Sequence, residues 1–133
     1  MGINQRRGFT LVEIMIVVAI IALLVVIAVP NLLRAKITAN ESAAMATLKT
    51  LATASEAYTI SHDSNYPDDE TSLLNTTPVY LNKAFCNTTS AGYSMACNFT
   101  SNGYTFTAAP IGAQFGIRTF TMTTGSVLMG TGL

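Results

Sequence analysis

The sequence predicts an α+β protein: one long N-terminal helix whose second half packs against a small antiparallel sheet of about four strands. Three observations predict it. Phe9 to Val29, FTLVEIMIVVAIIALLVVIAV, is an almost wholly apolar run of roughly 21 residues, long enough to cross a bilayer as a helix. Beyond Pro30, apolar residues recur at helical spacing instead of continuously. From Tyr93 onward, apolar and polar residues alternate between turn signals.

The chain of 133 residues has room for one domain with a modest core. Half of it is hydrophobic and 11% is charged, but the average conceals a division. Residues 14–29 carry no charge, while residues 61–107 are rich in Ser, Thr, Asn and Asp. Seven basic and seven acidic residues balance. Without residues 1–8, which contain Arg6 and Arg7, five basic face seven acidic, a net −2. No basic stripe remains to neutralise a row of phosphates, so nucleic acid is excluded as the main ligand.

Residues 1–8 form a short polar leader. The first helix is expected from Phe9 to about His62, kinked or locally loosened at Pro30, where a backbone donor is missing. A secretory signal peptide would have a shorter apolar core and a small-residue cleavage site. Here Ala35, Ala39, Ala43, Ala44 and Ala46 continue the helical pattern instead. The basic pair precedes the apolar run, so the positive-inside rule expects the N-terminus in the cytoplasm and the polar remainder exported. In the second half of the helix Leu33, Ile37, Ala44, Leu48, Leu51 and Tyr58 form the stripe to be buried. Lys36, Asn40, Glu41, Lys49 and Glu56 mostly take other faces. The divisions expected are therefore 1–8, 9–30 and a globular part over 31–133.

SHDSNYPDDETSLL ends the helix with turn chemistry, and Asp68 or Asp69 is placed to cap a short helix over Glu70–Leu74. Residues 75–92 read as an irregular loop. Tyr93, Met95, Cys97 and Phe99 share one parity, Asn102-Gly103 signals a hairpin, and Tyr104, Phe106 and Ala108 follow. Ile117–Thr123 reads as a third strand and Ser126–Met129 as a short fourth, across Thr124-Gly125. Cys86 and Cys97 lie in the exported part, where a disulfide persists; two separate thiols are the alternative.

Gly8 and FTLVE, with a basic pair before them and an apolar helix after, resemble the processing site of type IV pilins and pseudopilins. VVAIIALLVVIAVPNLLRAK is similar to the N-terminal helix of that family, proline included, and the resemblance covers about the first 60 residues. It implies the pilin fold, with cleavage after Gly8 by a membrane peptidase that also methylates the new N-terminal Phe9. It implies residence in the inner membrane, then extraction into a helical filament with the N-terminal helices in its core. Phe9 and Glu13 would act in assembly, Glu13 pairing with the N-terminal amine of a neighbouring subunit.

Physical chemistry supports that role for Glu13. A carboxylate at the centre of a lipid-embedded helix costs about 2.5–3.5 kcal/mol on insertion scales. Inside a dry helix bundle it needs a cation, and an α-amine, with a reference pKa of about 8, is available. At about 4 Å and an effective dielectric of about 20 their attraction is about 4 kcal/mol before desolvation. Desolvation offsets much of it, so the pair specifies register more than strength. The competing reading is a carboxylate at the interfacial edge of an ordinary membrane anchor.

Other features carry less. Asp63, Asp68, Asp69 and Glu70 cluster oxygen ligands but lack EF-hand spacing, and read as a solvated turn and helix cap. His62 has no Cys or second His near it in sequence, and no nucleophile–base arrangement is present. No catalytic residue, metal site or cofactor is therefore expected. Asn40, Asn75, Asn87 and Asn98 each begin an N-x-Ser/Thr pattern, as a Thr- and Asn-rich surface does by chance. The expected function is structural: the major subunit of a type IV pilus, with a type II secretion pseudopilin as the alternative. A single-pass anchored binding domain that never polymerises is the reading from another class. Implied partners are copies of itself, the processing peptidase and methyltransferase, the membrane before assembly, and an inner-membrane platform with a cytoplasmic ATPase.

The family often carries a glycine midway along the apolar helix, and pilins lose helicity between it and the proline in filaments. Ala22 stands in its place here, and alanine favours helix over glycine by about 1 kcal/mol. Any melted stretch in assembled filaments is therefore expected to be short and close to Pro30. Hydrogen–deuterium exchange on filaments checks this, and unprotected amides from Ala22 through Val26 would contradict it.

Overall fold

The structure, a computed structural model, describes residues 8–132. The expected leader lies mostly outside these residues. One helix, α1, runs over Leu11–Ser61, 51 residues with Pro30 inside it. Proline has no N–H to give the carbonyl of Val26, yet the helical backbone continues on both sides. The chain divides into two compact units between Ala35 and Lys36. In the first, every residue from Gly8 to Ala35 is exposed.

The second unit holds the rest of α1, a short helix α2 (Glu70–Leu74) and a five-stranded sheet. The strands are β1 (Thr89–Ser90), β2 (Tyr93–Thr100), β3 (Gly103–Pro110), β4 (Arg118–Thr123) and β5 (Val127–Gly132). They pair as an antiparallel meander in chain order. The fold is thus the expected α+β arrangement, with one strand more. β1 falls inside the segment read as an irregular loop. It is only two residues long, and its turn to β2 is Ala91-Gly92, both at positive φ, an uncommon dipeptide for a primed hairpin turn. The β2–β3 hairpin is also shifted from its Asn-Gly signal: Thr100 pairs with Gly103, leaving Ser101 and Asn102 as the loop. Gly103 is needed there by close approach, since a Cβ would meet the Thr124 hydroxyl.

The core lies between the second half of α1 and one face of the sheet. Ala44, Leu48, Leu51 and Ala52 of the helix are buried with Tyr93 and Met95 of β2, Tyr104, Phe106 and Ala108 of β3, and Phe120 and Met122 of β4. The strand parities are those the alternation predicts. The helical stripe is corrected at its ends: Leu33 is exposed, and Ile37 and Tyr58 are only partly covered. Leu33 lies before Lys36, in the first unit, where every described residue is exposed. β1 and β5 are the edge strands, and all six residues of β5 are exposed.

Two glutamates expected on the solvent side tie the helix to the sheet. Glu41 is 5% exposed and lies on the same helical stripe as Ala44, Leu48 and Leu51. It accepts from Arg118 Nη2 at 2.6 Å, Arg118 Nε at 3.1 Å and the Ile117 N–H at 3.3 Å. Glu56 accepts from the Tyr104 hydroxyl and the Gly125 N–H, both at 2.9 Å, and from the Tyr66 hydroxyl at 3.2 Å. Burial, with Glu56 beside it, pushes the Tyr104 hydroxyl up to about 12. Cys86 and Cys97 form a disulfide that ties the loop before β1 to β2.

The Arg118 hydrogen bond holds the Glu41 carboxyl below its usual range. A depressed carboxyl stabilises the fold fully above the unfolded carboxylate range and loses that contribution as pH falls through its folded value. Water reaches Arg118, half of whose side chain is exposed, so salt weakens the pair. Glu41→Gln is expected to lower the melting temperature at pH 7 and to flatten its fall below about pH 4.3. Thermal unfolding of the detergent-solubilised chain across pH checks this; parallel curves for both proteins would contradict it.

Candidate functional site

The start of α1 is organised by Thr10 and Glu13. The Thr10 N–H donates to Glu13 Oε2 at 2.8 Å, and the Thr10 hydroxyl donates to the same oxygen at 2.9 Å. In return the Glu13 N–H donates to Thr10 Oγ1 at 3.2 Å. This reciprocal pair is a capping box, which satisfies two N–H groups that the first helical turn leaves open. Glu13 thus has a local structural role in addition to the expected intermolecular one. The T-x-x-E spacing signals it directly, although the carboxylate's isolation in an apolar run draws attention elsewhere. Both side-chain bonds fall on Oε2, and Oε1 takes neither.

Gly8 precedes this turn in an open environment. A Cβ added there would meet nothing within 4 Å. Among the described residues nothing occupies the space a side chain at this position would take. Phe9 follows it, 85% exposed. From there Leu11, Ile14, Val18, Leu23, Val26 and Leu32 lead a continuous apolar surface around the helix. By length and composition α1 can cross a membrane. Gly8, Phe9 and Glu13 thus lie within about two turns at one end of that surface.

The acidic cluster has other uses. Asp69 caps α2, its Oδ1 accepting from the Ser72 N–H at 2.9 Å and from the Thr71 hydroxyl at 2.7 Å. These bonds hold its carboxyl below the usual range. Glu70 Oε1 accepts from the Phe85 and Cys86 N–H groups, which fixes the chain entering the disulfide. Among the described residues no group of three His, Cys, Asp or Glu side chains is arranged to hold a metal ion. His62 stacks on Tyr58 with ring centres 3.8 Å apart, and its Nδ1 lies 2.9 Å from the Tyr58 carbonyl.

Comparison with known proteins agrees with the helix start. The prokaryotic N-terminal methylation motif matches residues 3–29. The type IV wide pilus major component of Thermus thermophilus is 32% identical over 111 residues, covering 80% of this chain and 84% of that protein. The chain belongs to the type IV pilin family. That match is longer than the 51 residues of α1. A type IV major pilin of Myxococcus xanthus is 44% identical over 64 residues, 48% of this pilin and 29% of that one. The type II secretion system core protein G of Pectobacterium carotovorum is 36% identical over 69 residues, 52% of this pilin and 44% of that protein. No solved structure matches significantly.

The capping box separates two roles of Glu13. Glu13→Gln keeps an acceptor for the Thr10 N–H but removes the charge, whereas Glu13→Ala removes both. Both variants are expected to abolish filament assembly, with only Glu13→Ala weakening amide protection in the first turn. Filament recovery by shearing, with hydrogen exchange on the membrane form, distinguishes them. Normal assembly by Glu13→Gln would leave Glu13 with its cap role alone.

Proposed function

We propose that this chain is the major structural subunit of a type IV pilus, cleaved after Gly8 and assembled through the apolar half of α1. The observation that carries the reading is the exposed apolar helix opened by Gly8, Phe9 and a capped Glu13. Such a surface has to be covered, first by lipid and then by the same half-helix of other copies. The Thermus relative, a pilus major component matching along most of both chains, supports the same reading.

The steps then follow from the residues. Glycine at position 8 answers to a peptidase, since no described residue occupies the space of its missing side chain. Cleavage frees the Phe9 amine, which methylation leaves protonatable. Oε2 of Glu13 remains with Thr10, and Oε1 receives the amine of a neighbouring copy. Before assembly the chain crosses the inner membrane once, with its N-terminus in the cytoplasm and its disulfide-bonded unit outside. An inner-membrane platform driven by an ATPase extracts it. Attachment, motility and DNA uptake are the activities such a filament serves.

The match to a secretion core protein favours a second reading, a pseudopilin in a short periplasmic filament. That match covers about half of this chain, against 80% for the pilus component. Intact-mass spectrometry of material sheared from cells tests the choice. A species beginning at methylated Phe9 in the sheared fraction is expected. The same species confined to membranes would favour the pseudopilin, and uncleaved Met1 alone would overturn both. Gly8→Ala is expected to leave the chain folded and membrane-bound but uncleaved.

A further inference from the structure

The globular unit carries opposite charge at its two ends. At the end where its part of α1 begins, the Lys36 ammonium lies 5.8 Å from the centre of the Phe115 ring. Asn40 donates to the Phe115 carbonyl at 3.0 Å, and Glu41 binds the Ile117 N–H, so the loop between β3 and β4 lies at this end. Arg118 gives Nε and Nη2 to Glu41, and its Nη1 takes no part in that pair. Among the described residues Glu41 is the one carboxylate ion-paired at this end, and it is paired with Arg118, so with Lys36 two cations stand against one acid and this end is basic. Ile111 and Ile117 beside them are 55% and 56% exposed.

The other end, beyond the last turn of α1, is acidic. Asp63, Asp68 and Asp69 are exposed, and no Lys or Arg occurs from Ser61 to Leu81. Ile60, 88% exposed, lies in the last turn of α1, three residues before Asp63 in the chain. About 36 Å of helix, at about 1.5 Å per residue, separates Lys36 from Ile60, so the two ends of one copy do not meet.

We propose that the acidic end of one copy docks on the basic end of another copy in the filament, Asp63 and Asp68 against Lys36 and Arg118, with Ile60 against Ile111 and Ile117. The two patches differ, so the contact is heterologous and repeats without closing, as a filament requires. The two copies lie parallel and displaced along the helix axis by roughly the length of the globular unit's helix, about 36–40 Å. Each ion pair is exposed and weak, so the contact sets register and makes it salt-sensitive. The inference rests on the filament reading above.

Zero-length carbodiimide coupling of native sheared filaments, read by peptide mass spectrometry, tests it. The expected product joins Lys36 to Asp63 or Asp68, with a ladder of covalent oligomers. Filaments in which these aspartates couple only to Lys49 or Lys83, or in which Lys36 couples to neither, would overturn the contact. An absence of filaments would instead count against the filament reading itself. As an independent check, Lys36→Glu is expected to lower the yield of sheared filaments about fivefold to tenfold, and adding Asp68→Lys to restore it. Loss without restoration, despite normal processing of both variants, would also overturn it.

Discussion

The constraint on which everything else depends is the uncovered apolar half of α1. From Phe9 to Leu33 its large side chains are exposed around the whole circumference. Each Val, Leu or Ile taken fully out of water contributes about 1.5–3 kcal/mol, so this surface is not compatible with water. Lipid answers the problem, and so does a bundle of identical helices. Moving from one to the other gains little hydrophobic free energy, because lipid tails are as apolar as leucine. What distinguishes the bundle must therefore come from packing, from polar partners and from contacts between the globular units.

That reasoning gives Glu13 its weight. In water it is an ordinary capping-box residue, bonded twice to Thr10 through one oxygen. In a dry bundle a capped carboxylate still carries a charge that hydrogen bonds do not cancel. A cation delivered by a neighbouring copy resolves the imbalance only in one axial register. The end-to-end charge asymmetry of the globular unit acts in the same direction, adding register where the apolar surface alone supplies none.

The globular unit shows how the same helix changes use beyond Ala35. Its stripe of Ala44, Leu48 and Leu51 covers a sheet, and the sheet is clamped by two acids on that helix. Glu41 takes Arg118 from the start of β4, and Glu56 takes Tyr104 and the Gly125 backbone at its far end. The helix–sheet stack is thus fixed at both ends of β4 by hydrogen bonds that replace lost water.

Much of this was legible in the residues. The apolar run follows from composition, the cap at Asp69 from turn chemistry, and the parities of β2 and β3 from periodicity, because burial on one face dictates it. The N-terminal methylation motif was legible as local sequence that needs no tertiary contact. What periodicity could not supply was the partner of each buried acid. Glu41 falls on the core stripe by spacing, yet charge argues for solvent, and only Arg118, remote in sequence, decides between them. β1 escaped for a related reason: two residues cannot display a period. The central claim is that Glu13 meets the amine of another copy. Solid-state NMR on filaments mixed from ¹⁵N-Phe-labelled and ¹³C-Glu-labelled subunits measures it directly. A contact between differently labelled copies, corresponding to an ion pair within about 4 Å, is predicted. Assembled, processed filaments showing no contact between copies would contradict the account.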